Sequence, residues 1–172
     1  GGRFDGDIKI VSKDKDLQQL LGESVRLVDV HKDTSLGPDE LKTEKGILPG
    51  QVVDMLALMG DTMDNVPGVV GIGPKTASQL IGEYGDIDAI YAKIDEEESV
   101  PVSRRSIKGK RRENLIEARD RLPLSRELVT LRRDCPVDFD LGEAAVDLEA
   151  RDHAAFDEIL RVLGFSRLRD GF

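Results

Sequence analysis

Four aspartates in two short clusters are the residues of this chain best suited to chemistry. Lys13-Asp14-Lys15-Asp16 directly follows the alternating run Asp7-Ile8-Lys9-Ile10-Val11-Ser12, and Gly60-Asp61-Thr62-Met63-Asp64-Asn65 follows an apolar stripe at helical spacing. Hard divalent cations such as Mg²⁺ take carboxylate oxygens as ligands, and a site for two of them needs several. Two such ions about 4 Å apart activate water and stabilise the leaving oxygen of a phosphodiester. Each cluster also has a plain structural reading. Asp14 or Asp16 could cap a helix entering at Leu17, and Asp61 or Asp64 could cap a helix-ending turn. Against the second stands the helix dipole, which disfavours negative charge at a C-terminal end. Two carboxylates three residues apart at a helix end can also point the same way.

A second constellation follows at once. Val66-Pro67-Gly68-Val69-Val70-Gly71-Ile72-Gly73-Pro74-Lys75-Thr76-Ala77 places a glycine-dense turn immediately before a helical pattern. Glycines let a ligand approach the main chain, and the unpaired N–H groups of a helix start, at its positive dipole end, suit phosphate. Lys75 adds a mobile positive charge. The spacing is not that of a P-loop. It fits a helix-hairpin-helix element that holds a nucleic-acid backbone without reading bases, and equally a tight turn between two helices.

The elements that would position these residues are readable. Residues 7–12 and 25–30 predict short strands, with a helix over 16–21 closed by Gly22, so the first stretch is a β-α-β fragment with a parallel pair. From residue 38 the pattern turns helical: 38–44, a helix from Pro49 to Gly60, 75–81, 87–94, and two patterns around Pro123 between 115 and 131. Glu96-Glu97-Glu98-Ser99 reads as a solvated break, and residues 135–143 as irregular. Asp152 predicts the N-cap of a last helix with Phe156, Ile159, Leu160 and Leu163 on one face, stopped by Gly164. The fold class expected is an α/β remnant of short parallel strands over residues 1–34, followed by a mainly α-helical region over 35–172.

Bulk properties narrow the function. The formal net charge of −9 argues against broad electrostatic nucleic-acid binding, so any grip on DNA must use a few directed points. Aromatic residues are 4% of the chain with no Trp, which argues against a base-stacking platform. No apolar run approaches the ~20 residues of a membrane span, so no membrane partner is expected. The chain opens on Gly1-Gly2-Arg3-Phe4 rather than on Met, which reads as an entry point into a longer protein. The single cysteine, Cys135, rules out an internal disulfide and a cysteine zinc site, fits a reducing compartment, and reads as a small core or near-core residue.

Taken together, the motifs resemble a known family. Ile10-Val11-Ser12-Lys13-Asp14-Lys15-Asp16-Leu17-Gln18-Gln19-Leu20 is similar to the strand–Asp-Lys-Asp-Leu–helix segment of the 5′-nucleases. Leu56 to Asp61, Asp64 to Gly68 and Gly71 to Ala77 resemble that family's helix–three-turn–helix signature, most closely in the 5′→3′ exonuclease domain of bacterial DNA polymerase I. The likeness is sharp over residues 8–94 and fainter at Leu124-Ser125-Arg126-Glu127-Leu128-Val129-Thr130-Leu131 and around Leu163-Gly164-Phe165. It implies a C-terminal portion of a Mg²⁺- or Mn²⁺-dependent nuclease acting on duplex DNA at a 5′ end or flap, in the bacterial cytosol. Asp14, Asp16, Asp61 and Asp64 would be catalytic metal carboxylates. Gly71, Ile72, Gly73, Lys75 and Thr76 would bind DNA, with K⁺ at the carbonyls of the 69–76 turn. The partners implied are the N-terminal half of the nuclease domain, which would complete the two-metal site and carry a basic arch, and a polymerase domain in the same full-length chain. As it stands, this chain is expected to be inactive.

The rival from another class is a non-catalytic helix-hairpin-helix DNA-binding module, which would have no use for the four aspartates together. An RNA-cleaving relative of the same fold is a third reading. Arg104, Arg105, Lys108, Lys110, Arg111 and Arg112 form a dense basic run, read either as a solvated helix face or as a second phosphate contact. Met55, Met59 and Met63 fall on one helical stripe and read as core. His31 and His153 lack partners at ligand spacing and are assigned no role.

Overall fold

A computed structural model describes residues 6–147 and 152–169. The chain divides into two compact units after Arg133. In the first, β1 (Ile8–Val11) pairs in parallel with β2 (Val25–Asp29), Ile10 opposite Leu27, as the β-branched alternation predicts. The connection is a short 3₁₀ helix, Lys15–Leu20, rather than an α-helix. A third strand, β3 (Thr34–Leu36), pairs antiparallel with β2, Leu36 opposite Leu27. Three residues are too few to show a period, so β3 escapes sequence reading.

The helices follow in quick succession. α1 (Pro38–Lys45) starts on a proline and ends on Gly46 at φ 71°. A 3₁₀ turn at Pro49–Gln51 leads into α2 (Val52–Met59). Val52, Met55, Leu56, Ala57 and Leu58 are all buried, so α2 is enclosed almost on every side and forms the centre of the core. It packs against α3 (Pro74–Tyr84) and α6 (Leu122–Val129). α4 (Ile87–Glu96) and α5 (Lys110–Ala118) complete the layer, joined where the Tyr91 hydroxyl donates to the Leu115 carbonyl at 2.6 Å. Pro123 lies in the first turn of α6, where its missing N–H costs no helical bond.

Side chains tie the small sheet and the helices into one body. Gln19 donates to the Val129 carbonyl and accepts from the Leu131 amide, while Arg133 caps the Gln19 carbonyl. On the other side of α6, Arg126 makes a two-pronged pair with the largely buried Asp54 at 2.6 and 2.8 Å and reaches Asp88 at 3.1 Å. Asp54 also accepts from the Ile87 amide, so one carboxylate fixes α2, α4 and α6 together.

Three expectations need correction. Met63 is 92% exposed and not core, because Gly60 takes the chain out of the helix after Met59. Glu97 is not part of a solvated break: it is buried and accepts from the backbone and hydroxyl of Ser106. Cys135 is exposed, since the segment around it forms no regular element that could cover it.

The second unit carries α7 (His153–Val162) and α8 (Ser166–Arg169). Asp152 caps α7 by accepting from the Ala155 amide, and Gly164 at φ 73° follows the helix, both as the sequence predicts. Of the expected apolar face only Leu160 is buried. Among the described residues no helix is long and apolar enough to cross a membrane.

Candidate functional site

The loop between α2 and α3 is built on two glycines that touch. Gly60 has φ 69°, and a Cβ on it would stand 2.5 Å from the Gly68 nitrogen; a Cβ on Gly68 would collide with the Met59 carbonyl oxygen. Backbone packed on backbone leaves room for no other residue type at Gly60. Between them, Asp61 and Val66 exchange amide–carbonyl bonds of 3.0 and 2.7 Å and close a tight loop. Asp61 and Asp64 thus lie in a loop rather than on a helix end. The Asp61 carboxylate folds back over that loop, accepting from the Met63 amide at 2.8 Å and the Asp64 amide at 3.4 Å. Asp64 itself is exposed.

The first acidic cluster reaches the same place. Asp14 caps the 3₁₀ helix by accepting from the Asp16 amide, so the capping role and the acidic cluster coincide in one residue. Lys15, next in sequence, extends its ammonium to the Asp61 carboxylate, bridging forty-six residues of chain. That contact first, and the Met63 amide second, holds Asp61 below the ordinary carboxylate range, while Asp61 in turn raises Lys15. Asp16 is shifted the opposite way. Burial pushes its carboxyl up, and the charges of Asp14, Asp61 and Asp64 add to the push, the nearby Lys15 opposing. Its Oδ1 is buried without a hydrogen-bond partner. Asp14, Asp61 and Asp64 are thus electrostatic neighbours of Asp16, with Lys15 among them. No three acidic, His or Cys side chains among the described residues converge at metal-binding distances.

Whether these residues suit a divalent cation turns on Asp16. A buried carboxylate oxygen with no donor, crowded by like charges, is the environment a hard cation relieves. The donor set is all oxygen, as such an ion requires, and Lys15 now neutralises one of its members. The residues fit.

A short distance along the chain stands the glycine turn. Gly71 is at φ 75°, Gly73 enters α3 in extended conformation with no side-chain cap, and Pro74 occupies the first helical turn. The first amides of α3 therefore lack both intrahelical and capping partners. Lys75 is exposed, Thr76 half-buried, and the Ile72 side chain is core, leaving only the backbone of Ile72 at the turn. Side chains far along the chain hold this loop from behind. Ser125 donates to the Pro67 carbonyl, Arg121 to that of Gly68, and Asn114 to that of Val70 at 2.7 Å. Reasoning from spacing missed these three. Ser125 lies in the fainter stretch of family likeness, but nothing in the sequence links Asn114 or Arg121 to the turn.

The basic run from Arg104 to Arg112 is not one face. Arg112 is buried against the Ile94 carbonyl, Arg105 is spent on the carbonyls of Glu98 and Val100, and Lys110 pairs with Glu113.

Residues 47–152 match the family described as 5′-3′ exonuclease, C-terminal SAM fold. DNA polymerase I of Rhizobium leguminosarum is 40% identical over 162 residues, which cover 94% of this chain and 15% of that protein. The chain therefore matches about a seventh of that relative's length. Among solved structures, a zinc-bound T5 5′-exonuclease superposes with a TM-score of 0.58 at 27% identity, over 72% of this chain and 42% of the other. A bacteriophage T5 flap endonuclease in a pseudo-enzyme-product complex with DNA and metal ions gives a TM-score of 0.58 at 26% identity, with the same two shares. By the family match over residues 47–152, this chain belongs to the 5′-3′ exonuclease family through its C-terminal SAM-fold region.

Proposed function

We propose that this chain is the C-terminal part of a DNA polymerase I-type 5′→3′ exonuclease or flap endonuclease. Residues 1–34 end its α/β nuclease domain, and residues 35–172 are its helical DNA-binding region. The observation that carries this reading is the partnerless, buried Oδ1 of Asp16 among Asp14, Asp61 and Asp64, close in sequence and fold to an uncapped helix start.

In the intact protein, Asp14, Asp16, Asp61 and Asp64 would hold Mg²⁺ or Mn²⁺ together with acidic residues from an upstream half. The ions supply charge neutralisation and water activation for hydrolysis of a phosphodiester at a 5′ end or flap. Lys15, which holds Asp61 in the absence of a cation, would be the positive side chain nearest this acidic cluster and could meet a phosphate there. The Gly71–Thr76 turn holds the duplex by its backbone phosphates, its 69–76 carbonyls would be the ligands of a K⁺ ion, and a polymerase domain follows in the same cytosolic protein. Backbone amides do not distinguish bases, so binding is independent of sequence.

A salt titration of duplex binding tests the reading. The chain should bind weakly, with Kd in the nonspecific range of ~10⁻⁴ to 10⁻⁶ M. The slope of log affinity against log salt should be only about −1 to −3, for one to three neutralised phosphates. A Cβ on Gly73 meets nothing within 4 Å, so Gly73→Ala keeps the fold while standing where phosphate would approach. Combined with Lys75→Ala it should abolish binding. If only neutralising Arg104, Lys108 and Arg111 does so, the turn is a structural element and the reading fails.

A further inference from the structure

The 3₁₀ helix that carries Asp16 is six residues long, and hydrogen bonds of that type hold a short helix poorly. Left to itself it would turn the donorless oxygen of Asp16 out to water, yet that oxygen is buried. Something outside the helix must fix its rotation. Side chains three apart eclipse in a 3₁₀ helix, so Asp16 and Gln19 share a face. Gln19 is the buried residue of this helix, 5% exposed. Its Nε2 donates to the Val129 carbonyl at 3.0 Å and its Oε1 accepts from the Leu131 amide at 3.0 Å, so only one orientation of the amide serves. Arg133 adds a bond to the Gln19 carbonyl at 2.6 Å. Val129 ends α6, whose Ser125 holds the Pro67 carbonyl behind the glycine turn, so one helix is bonded both to the turn and to the element of the acidic cluster. The plain alternative is a cap, since the last carbonyls of a helix lack partners. A cap accounts for the bond to Val129. It does not account for Leu131 and Arg133, which lie past the helix and both close on Gln19.

We propose that Gln19 is the positioning residue of the acidic cluster: anchored to residues 129–133, it sets the rotation of the 3₁₀ helix that turns the Asp16 carboxylate inward and keeps it unpaired for a divalent cation. The inference rests on the cation reading of the cluster for its purpose, though not for its geometry. By linkage the coupling runs both ways. Cation occupancy at Asp16 steadies residues 129–133, the last of the first unit, and loosening those residues weakens cation binding.

Titration of the chain with Mn²⁺, read as loss of the free-ion EPR signal, tests the coupling. Gln19→Met, close in size but without the amide, should weaken Mn²⁺ binding roughly tenfold, the lower end for a residue that orients a ligand. Arg133→Ala, an exposed change that leaves Gln19 in place, should weaken it about threefold, and Arg133→Lys should restore most of the loss. Should Gln19→Met not fold, Arg133→Ala decides alone. Tyr91→Phe removes the bond to Leu115 in the α4–α5 layer and should lower Tm without moving Mn²⁺ affinity. Hydrogen exchange at the Leu131 amide should slow on adding Mn²⁺ to the parent but not to Gln19→Met. Affinity unchanged in the Gln19 and Arg133 variants, or lost equally in Tyr91→Phe, would overturn the proposal. If the parent takes up no Mn²⁺, the cation reading of the cluster fails, and a metal-free readout decides the positioning role. Asp16→Asn should raise Tm by roughly 1–2 °C in the parent and lose most of that gain in Gln19→Met and Arg133→Ala, where the helix is freer to turn. An equal gain in all three backgrounds overturns the role of Gln19.

Discussion

At the glycine turn, the carbonyls of Pro67, Gly68 and Val70 each meet a side chain from α5, α6 or the link between them. At the acidic cluster, by contrast, one oxygen of Asp16 is buried with no donor, and Asp61, whose Oδ1 accepts from its own loop, has its Oδ2 met by Lys15 reaching across. The two regions share the Gly60–Gly68 contact and differ in completeness. An anion site made of backbone amides can be finished by the chain alone, because its dipoles are fixed by helix and turn geometry. A cation site made of carboxylates cannot, because its members repel until something positive arrives. The first region is therefore rigid and the second electrostatically strained.

The largest effect should come from the contact both regions depend on. Gly60→Ala combines a strained positive φ with a collision against Gly68, and should cost about 3 kcal/mol or more in chemical denaturation. A cost below about 1 kcal/mol would show that the loop can open, and the two regions would no longer share a rigid origin. A smaller effect tests the bracing alone. Asn114→Ala leaves the Val70 carbonyl without its side-chain donor and should cost roughly 1–2 kcal/mol. Duplex affinity should fall with it; unchanged duplex binding would mean the brace serves stability only.

The smallest effect has the opposite sign. Because burial and neighbouring charges raise the Asp16 carboxyl, ionised Asp16 disfavours the folded state. Asp16→Asn should therefore stabilise the chain, raising Tm by roughly 1–2 °C at pH 7. For a carboxyl whose folded pKa is raised, the penalty is complete above that raised value and vanishes below the ordinary value of 3.8. The gain should accordingly shrink as pH falls from 7 towards 4. A variant less stable than the parent at pH 7 would mean the cluster is structural, and the contrast with the turn would collapse.

Local patterns determined a good deal. The alternation of residues 7–12, the proline starts at Pro38, Pro49 and Pro74, the Asp152 cap and the glycine stops are written in neighbouring residues, where propensity and hydrogen-bond supply act over one turn. The motifs Asp14-Lys15-Asp16 and Gly71-Ile72-Gly73 were equally legible, since each needs only a few adjacent residues. Other features depended on burial, which adjacent residues do not set. Gly60 interrupts the methionine stripe before Met63, Ser106 encloses Glu97 within an acidic run, and the irregular segment around Cys135 builds no core over it. Only the tertiary structure put Lys15 on Asp61, Asn114 behind Val70 and Gln19 on the end of α6. Contacts across dozens of residues follow from how helices pack, and a helix buried on every side, as α2 is, leaves no periodicity that says which neighbour lies where.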